Sequence, residues 1–325
     1  MDCRGGCASA GVGSLREQIA YLTHKYTGVF KVNVRIIPRL DIKGPNLVKG
    51  VHFEGLRVLG KPEHFAYQYY LDGADELIYI DAVASLYGRN SLLDIVERTS
   101  RNIFIPLTVG GGLRSVEDIR RVLRAGADKV SMNTAAINRP ELIREASQTF
   151  GSSTIVISIE AIRKSNGTYE AYVDYGRQST GLDAVDWAKR ASDLGAGELL
   201  VTSIDREGTG RGFDLELTRR VADSVSIPVI SAGGAGHFSH VQEAIVEGHA
   251  DAVCIGSLIH YQYLKQNDYQ ESDFAREGNI EYLRSRGGFR SVKETTLPEI
   301  KEYLIGRGTC CRRELSAGFQ RSEAS

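Results

Sequence analysis

The sequence feature that most constrains the fold is an internal repeat. Residues 105–134, IPLTVGGGLRSVEDIRRVLRAGADKVSMNT, realign with residues 227–257, IPVISAGGAGHFSHVQEAIVEGHADAVCIGS, at an offset of about 120 residues. Each copy has the pattern of a strand, a glycine-rich loop, an amphipathic helix and a second strand. We therefore predict an α/β fold, one closed (β/α)₈ TIM barrel built from two quasi-repeated half-barrels.

Eight short, nearly continuous apolar runs alternate with helical stretches between about residue 34 and residue 305. Strands that are buried on both faces of a parallel sheet have this composition. The runs are VRIIPRLDI, ELIYIDAV, IPLTVGGG, ADKVSMNTA, TIVISIEAI, GELLVTSID, IPVISAGGA and ADAVCIGSL. In the helix that begins near Val116, the side chains of Ile119, Val122 and Leu123 share one face, and Gly126 is expected to end it.

The barrel is predicted to span residues 31–308, with an insertion at about 261–293 after the eighth strand. The insertion is polar and rich in Tyr, and it falls where an active-site loop lies in such barrels. Residues 1–30 are predicted to be an N-terminal extension, either mobile or a mis-assigned start, and residues 309–325 a C-terminal tail.

Composition limits the partners. The net charge is −1, so bulk charge does not favour nucleic acid or an anionic membrane surface. No apolar run is long enough to span a bilayer, and the N-terminus lacks the apolar core of a signal peptide, so we expect a cytoplasmic protein. Four of the five cysteines lie in the tails, which is not a disulfide framework, and no spacing of His and Cys predicts a metal site. We expect no cofactor.

Glycine pairs at the ends of repeat-related strands predict two anion sites. Gly111 and Gly112 follow the third strand, and Gly233 and Gly234 follow the seventh. The next strand of each copy is closed by Asn133 and Thr134, and by Gly256 and Ser257, respectively. Glycine lets phosphate oxygens approach backbone N–H groups closely, although a single pair could be an ordinary turn. Two such sites on one barrel mouth predict an elongated bisphosphate substrate.

Carboxylates at strand ends are the candidate acid and base. Asp41 ends the first strand, Glu160 the fifth and Asp205 the sixth, and the offset of the repeat pairs Asp41 with Glu160. Carboxylates in these positions of a barrel are usually catalytic, and a facing pair suits proton transfer. The alternative is a structural salt bridge with Lys43 or Arg163. The histidines are expected to be structural, and there is no nucleophile elbow of a serine hydrolase.

The chain resembles a known family along most of the barrel. RIIPRLDIK, LVKGVHFE, TVGGGLRSVED, GADKVSMNTAA, QTFG, TSIDREGT and SAGGAG occur in the order and spacing of the cyclase subunit of imidazole glycerol phosphate synthase. The resemblance implies an ammonia-dependent lyase of histidine biosynthesis. Its substrate would be a bisphosphorylated ribulosyl-formimino aminoimidazole carboxamide nucleotide, and its products imidazole glycerol phosphate and an aminoimidazole carboxamide ribotide.

The resemblance also implies roles for individual residues. Asp41 would be the principal acid/base and Glu160 the second carboxylate, with Lys49 in a loop that covers the substrate. The implied phosphate-binding residues are Gly112, Asn133 and Thr134 on one side and Gly208, Gly234, Gly256 and Ser257 on the other.

A glutaminase partner is implied as well. In the family, ammonia comes from a separate glutaminase subunit on the N-terminal face and passes a ring of charged residues. The matching positions are Arg35, Glu76, Lys129 and Glu198, and Asp128 matches the contact to the glutaminase. A purely structural ring of ion pairs is the alternative.

Three departures from the family leave the activity open at this point. Glu160 stands where the family has an aspartate, and Arg39 and the insertion change the surroundings of Asp41. The cyclase has two alternatives. One is a paralogue that delivers ammonia to a sugar amidotransfer in surface-polysaccharide biosynthesis, and the other is a non-catalytic activator of a glutaminase.

Overall fold

The computed structural model describes residues 33–84, 92–266, 274, 280, 283–284 and 291–312. The extension predicted at residues 1–30 and most of the predicted insertion lie outside these residues.

The described part of the chain contains twelve strands. In chain order they are β1 (Arg35–Lys43), β2 (Asn46–Val51), β3 (Glu54–Gly60), β4 (Leu77–Asp81), β5 (Leu107–Gly110), β6 (Lys129–Met132), β7 (Ile155–Arg163), β8 (Tyr169–Val173), β9 (Gln178–Asp183), β10 (Glu198–Ser203), β11 (Val229–Ala232) and β12 (Ala252–Ile255).

Eight of these strands close a parallel barrel in the order β1, β4, β5, β6, β7, β10, β11 and β12, and β12 pairs back with β1. Each barrel strand coincides with one of the eight apolar runs, and β1 and β7 continue one residue further, so the predicted (β/α)₈ fold is confirmed. The other four strands form two antiparallel hairpins, β2–β3 after β1 and β8–β9 after β7. The sequence analysis did not predict these hairpins, which rise from the C-terminal ends of repeat-related strands.

Helices cover the outside of the barrel. They are α1 (Pro62–Leu71), α2 (Leu93–Ser100), α3 (Val116–Arg124), α4 (Thr134–Asn138), α5 (Glu141–Phe150), α6 (Ala184–Asp193), α7 (Leu215–Ala222), α8 (Phe238–Val246), α9 (Ser257–Gln266) and α10 (Leu297–Gly306). A 3₁₀ turn, Ser152–Thr154, precedes β7.

Helix α3 shows how local sequence sets these elements. The Ser115 side chain caps its first turn by accepting the N–H of Asp118, and Ile119 and Val122 are fully buried against the strands. Gly126, at φ 112°, follows the helix in a conformation that glycine adopts without strain, as predicted.

The chain after α10 returns to the start of the barrel. Cys311 forms a parallel bridge with Val34, and Lys301 and Arg312 both pair with Asp75, whose carboxylate also accepts the N–H of Ile36. The first residues of the predicted tail are thus part of the N-terminal face.

Side chains alternate along each barrel strand between the helices and the barrel interior. In β1, Ile36 and Leu40 pack toward the helices, while Ile37 belongs to the interior cluster, which places Arg39 and Asp41 on the inward face. The interior has three levels: a charged ring at the N-terminal face, an apolar middle, and a polar mouth at the C-terminal ends of the strands. The apolar level includes Ile37, Ile78, Val156, Leu200, Ile230 and Ala252.

Candidate active site

The mouth carries a buried cluster of four charges. Asp41 is 2% exposed; its Oδ1 accepts the Nε–H of Arg39 at 2.8 Å, and its Oδ2 lies 3.7 Å from Nζ of Lys49. Lys49 also forms a short ion pair with Glu207, which is equally buried. Two cations and two anions therefore neutralise one another where strands one and six end.

These contacts fix the charge of Asp41. Burial by itself would raise the pKa of its carboxyl, but the Arg39 guanidinium and then the Lys49 ammonium outweigh burial and hold the pKa below its usual value. Ion pairing likewise raises the pKa of Arg39 and of Lys49 despite their burial. Lys43 and Arg163 were the expected salt-bridge partners of the strand-end carboxylates, but the ion pairs of Asp41 are with Arg39 and Lys49.

Glu160 lies across the mouth in a different environment. It is 5% exposed, and burial raises the pKa of its carboxyl to about 7, with Asp41 adding to this effect and Arg39 opposing it. Its Oε2 is buried and has no hydrogen-bond partner among the described residues. A carboxyl of this kind is partly protonated near neutral pH and has a lone pair available to a ligand.

A cavity of about 440 Å³ opens beside Glu160. It is bordered by the first glycine cup, which we define as Gly111, Gly112, Asn133 and Thr134, and also by Asp81, Arg114, Asp174 and Tyr175. Both glycines have positive φ, and a side chain at Gly111 would collide with the backbone of Asp81. Glycine is required here because β4 and the loop after β5 approach so closely.

The second glycine cup, which we define as Gly233, Gly234, Gly256 and Ser257, lies on the opposite side of the mouth. It encloses a cavity of about 20 Å³ that Gly208, Arg39, Lys49 and Glu207 also line. Gly208 and Gly234 have positive φ and no room for a Cβ. The structure thus brings all the predicted phosphate-binding residues to the mouth, in two separate cups.

The β2–β3 hairpin closes over the mouth. The His52 backbone N–H donates to the Glu207 carbonyl at 2.9 Å, and the His52 ring contacts the Ile204 carbonyl at 2.7 Å. At the hairpin tip, Phe53 packs against Tyr175 from the β8–β9 hairpin, with ring centroids 4.3 Å apart. Lys49, expected in a loop, lies on β2 and is held under this cover.

His260 supports the strand that carries Asp41. Its Nδ1 lies 2.7 Å from the Tyr69 hydroxyl, and its Nε2 lies 2.9 Å from the backbone carbonyl of Arg39. Burial lowers the pKa of His260 to about 3, so the ring is neutral, with Nε2–H donating to the carbonyl and Nδ1 accepting from Tyr69. Since β12 pairs with β1 only as far as Pro38, the imidazole of His260 supplies the hydrogen-bond donor for the Arg39 carbonyl, which lies beyond that pairing.

The other predicted acid, Asp205, is not in the mouth cluster. Its carboxylate accepts the backbone N–H of Arg163 at 2.8 Å, while the Arg163 guanidinium pairs with Glu216. Asp205 therefore ties the end of β10 to the end of β7.

The four predicted gate residues form a closed ring at the N-terminal face. Arg35 pairs with Glu76 at 2.7 Å and with Glu198 at 2.6 Å, and Lys129 pairs with the same two glutamates at 3.1 and 2.9 Å. Opposite charges alternate around the ring, which lies below the apolar level of the barrel.

Asp128 is exposed at this face, and its carboxylate accepts the N–H of Leu107 at 2.9 Å. Asp251 does the same for Val229 in the other half-barrel. The Asp128 carboxylate thus satisfies the first N–H of β5, in addition to any contact that it makes with a partner.

Sequence reasoning missed Glu207 and the cover formed by Phe53 and Tyr175. A signal existed for Glu207, since it directly precedes Gly208 in the loop after β10. Nothing in the sequence indicated the ring contact between Phe53 and Tyr175, because the two hairpins are far apart in the chain.

Within the described ranges, no three His, Cys, Asp or Glu side chains are grouped to hold a metal ion. No helix in those ranges is long and apolar enough to cross a membrane.

The chain is similar to known proteins over most of the barrel. A family model described as "Histidine biosynthesis protein" matches residues 35–265. The chain is 61% identical over 204 residues, 63% of this chain and 96% of the relative, to the imidazole glycerol phosphate synthase subunit HisF of Legionella pneumophila. It is 49% identical over 230 residues, 71% of this chain and 91% of the relative, to the subunit of the same name from Alkaliphilus metalliredigens (strain QYMF). The stretch matched by the family model contains both mouth carboxylates, both glycine cups and the charged ring.

Proposed function

The chain belongs to the histidine biosynthesis protein family, and from that premise we propose that it is the cyclase subunit of an imidazole glycerol phosphate synthase. It is a lyase that converts the bisphosphorylated ribulosyl-formimino aminoimidazole carboxamide nucleotide and ammonia to imidazole glycerol phosphate and the aminoimidazole carboxamide ribotide. The observation that carries this function is a pair of buried carboxylates, Asp41 and Glu160, set between two glycine cups on one barrel mouth.

Each glycine cup binds one of the two phosphates of the substrate. Gly112, Asn133 and Thr134 hold one phosphate, with the backbone N–H groups of the positive-φ glycines directed to its oxygens. The second phosphate enters the other cup, where the residues that hold it are Gly208, Gly234, Gly256 and Ser257.

Lys49 contributes charge at the second cup. In this structure its ammonium is paired with Glu207 inside the cavity of about 20 Å³. A bound phosphate would accept from the ammonium in place of that carboxylate, and the β2–β3 hairpin that carries Lys49 would then lie over the substrate.

The reacting part of the substrate lies between Asp41 and Glu160. Addition of ammonia and ring closure both need protons to be moved, and two carboxyls whose pKa values differ suit such transfers.

The activity is tested with the purified full chain, the formimino bisphosphate and saturating ammonium chloride, without a partner. Both products should form, and a substrate analogue that lacks one phosphate should be turned over far more slowly, because one cup stays empty. If the folded protein converts no bisphosphate, the proposed cyclase function is wrong.

We place the glutaminase subunit on the N-terminal face of the barrel, with ammonia entering through the ring of Arg35, Glu76, Lys129 and Glu198. The apolar surface at this face supports the placement. Phe104, between α2 and β5, is 78% exposed, and Leu71, at the end of α1, is 54% exposed. Exposed large apolar side chains that lie together commonly mark protein interfaces. Asp128 is exposed at the same end of the barrel.

The docking face is tested with Phe104→Ser and a purified glutaminase subunit. Loss of a buried aromatic anchor should weaken binding by about tenfold to a hundredfold, measured by calorimetry. The control is Leu182→Ser, since Leu182 is an exposed apolar residue on β9, at the opposite mouth. Equal affinities for the two variants would contradict docking at the N-terminal face.

A second candidate function is ammonia delivery to a sugar amidotransfer in surface-polysaccharide biosynthesis. Arg39 favours it, because its guanidinium occupies the mouth next to Asp41 and lines the second cup. Activation of the glutaminase by a chain that converts no bisphosphate would support this function over the cyclase.

A further inference from the structure

Another cavity lies on the outside of the barrel. Its volume is about 580 Å³, and it is bordered by α1, by the end of α2 with the loop that follows, and by α9. We call it the outer cavity. It shares no lining residue with the two mouth cavities. Its volume is typical of sites for small molecules, and the proposed cyclase reaction does not use it.

The lining of the outer cavity is positively charged. Glu63 pairs with Arg98, whose Nε lies 3.2 Å from Oε1 of the carboxylate. Arg101 directly follows α2, is exposed, and forms no ion pair within the described ranges. Two residues that are three apart at a helix end lie on one side of it, and both arginines line the cavity. Two guanidinium groups against one carboxylate leave one net positive charge, which favours an anionic ligand.

Two tyrosine rings form walls of the outer cavity. Tyr67 is 42% exposed, so its ring is available for stacking. Tyr263 is held in place, because its hydroxyl donates to the His64 carbonyl at 3.3 Å. Thr99 and Ile103, both buried, also line the cavity. A flat aromatic group fits such a site because it stacks favourably on tyrosine faces.

One lining residue calls for a hydrogen-bond donor on the ligand. Glu63 uses Oε1 for Arg98, while its Oε2 is buried and has no hydrogen-bond partner among the described residues. A buried acceptor without a partner costs free energy, and an amino group on a ligand would satisfy it. The outer cavity therefore favours a ligand that combines an anion, a flat ring and an amino group.

We propose that the outer cavity binds a 5′-ribonucleotide whose ring carries an amino group. The ring stacks on Tyr67, the amino group donates to Glu63, and the phosphate accepts from Arg101. Two sources share this chemistry. One is adenosine monophosphate, and the other is the aminoimidazole carboxamide ribotide that the proposed cyclase reaction releases. The binding site itself does not depend on the cyclase function, since none of its residues lines the mouth cavities.

The site is tested by isothermal titration calorimetry of the full chain with adenosine monophosphate and, separately, with the ribotide. Arg101→Met should raise Kd by roughly tenfold to a hundredfold, because a hydrogen bond to a charged phosphate is lost. Tyr67→Ala should raise it by about tenfold, because stacking is lost. The matched control is Arg124→Met, since Arg124 is an exposed arginine at the end of α3, outside the cavity. It should leave Kd unchanged.

The two arms identify the source of the ligand. Adenosine, which lacks the phosphate, should bind far more weakly than adenosine monophosphate. A lower Kd for the ribotide, raised by the same two substitutions, would assign the site to the product of the proposed reaction. A lower Kd for adenosine monophosphate would assign it to a purine nucleotide.

The inference is overturned if neither nucleotide binds at millimolar concentration, or if Arg101→Met and Tyr67→Ala leave both Kd values unchanged. Affinity that is lost in Gly256→Ala but kept in Arg101→Met would place the nucleotide in the second glycine cup, and would also reject the outer cavity. Circular dichroism checks that each variant is folded, and KM for the bisphosphate should be unchanged in Arg101→Met. If the wild type converts no bisphosphate, the cyclase function fails, and the calorimetry still decides whether the outer cavity binds a nucleotide.

Discussion

An alanine at Gly256 should weaken substrate binding without harming the fold. Gly256 directly follows β12 in the second glycine cup and does not have positive φ. A Cβ built there would lie 3.4 Å from Nε2 of His260, 3.5 Å from Nζ of Lys49 and 3.6 Å from the carbonyl oxygen of Arg39. These are ordinary van der Waals contacts, so the backbone need not move.

The magnitude follows from the size of the cup. Gly256 lines its cavity of about 20 Å³, and the added methyl would lie 3.5 Å from Nζ of Lys49, which lines the same cavity. The methyl would therefore keep a phosphate from the backbone N–H groups. Loss of one hydrogen bond to a charged group costs about 1.5–3 kcal/mol. We expect KM for the bisphosphate to rise by roughly tenfold to a hundredfold. The free energy of unfolding should be unchanged or about 0.5 kcal/mol higher, because alanine restricts the unfolded chain.

The assay measures KM and kcat with saturating ammonium chloride, together with urea denaturation. The matched control is Gly306→Ala, since Gly306 ends α10 with nothing within 4 Å of its Cβ position. It should leave KM as in the wild type. An unchanged KM in Gly256→Ala would refute phosphate binding at this cup, and a loss of stability above about 1 kcal/mol would refute the steric argument.

Two further predictions concern stability. Lys129→Met should lower the free energy of unfolding, measured in urea, by about 2–3 kcal/mol, because the buried Glu76 and Glu198 would keep only Arg35 as a partner. The control Lys129→Arg should lower it less. If Lys129→Met is as stable as the wild type, the ring contributes nothing to stability. The pKa of His260 is lowered from 6.5 to about 3 in the folded protein, so as the pH falls the unfolded chain takes up this proton first. The stability that the neutral ring confers is therefore complete above about pH 7. It declines by about 1.4 kcal/mol per pH unit between pH 6.5 and about 3. Denaturation midpoints at pH 7 and 5.5 should therefore differ less in His260→Asn than in the wild type, and equal differences would contradict the assignment.

The eight barrel strands could be predicted because each is buried on both faces and so is apolar along most of its length. The hairpins could not. Their strands carry mixed sequences such as NLVKGV and YEAYV, and they form only because β1 and β7 extend beyond the barrel and offer an edge to pair with. Strand pairing of this kind depends on tertiary context more than on intrinsic preference.

The sequence predicted which residues lie at the barrel mouth, but it did not predict which of their side chains pair with one another. The ends of parallel strands meet on one face, so Asp41 and Glu160 had to lie at the same mouth. That Lys49 pairs with Glu207, 158 residues away, depends on how the β2–β3 hairpin folds over the mouth. The sequence offered Lys43 and Arg163 as salt-bridge partners for the strand-end carboxylates, whereas Asp41 pairs with Arg39 and Lys49.

The sequence by itself determined the barrel, the two glycine cups, the positions of the four ring charges and the presence of a carboxylate on each of two repeat-related strands. The barrel, the cups and the two carboxylates follow from periodicity and repetition, whereas the ring positions were implied by the resemblance to a known family. Only the tertiary structure decided that Arg39 neutralises Asp41 while Glu160 stays unpaired on Oε2. The physical reason is that charge state depends on burial and on the distance to other charges, and those distances are set by parts of the chain that meet only in the folded barrel.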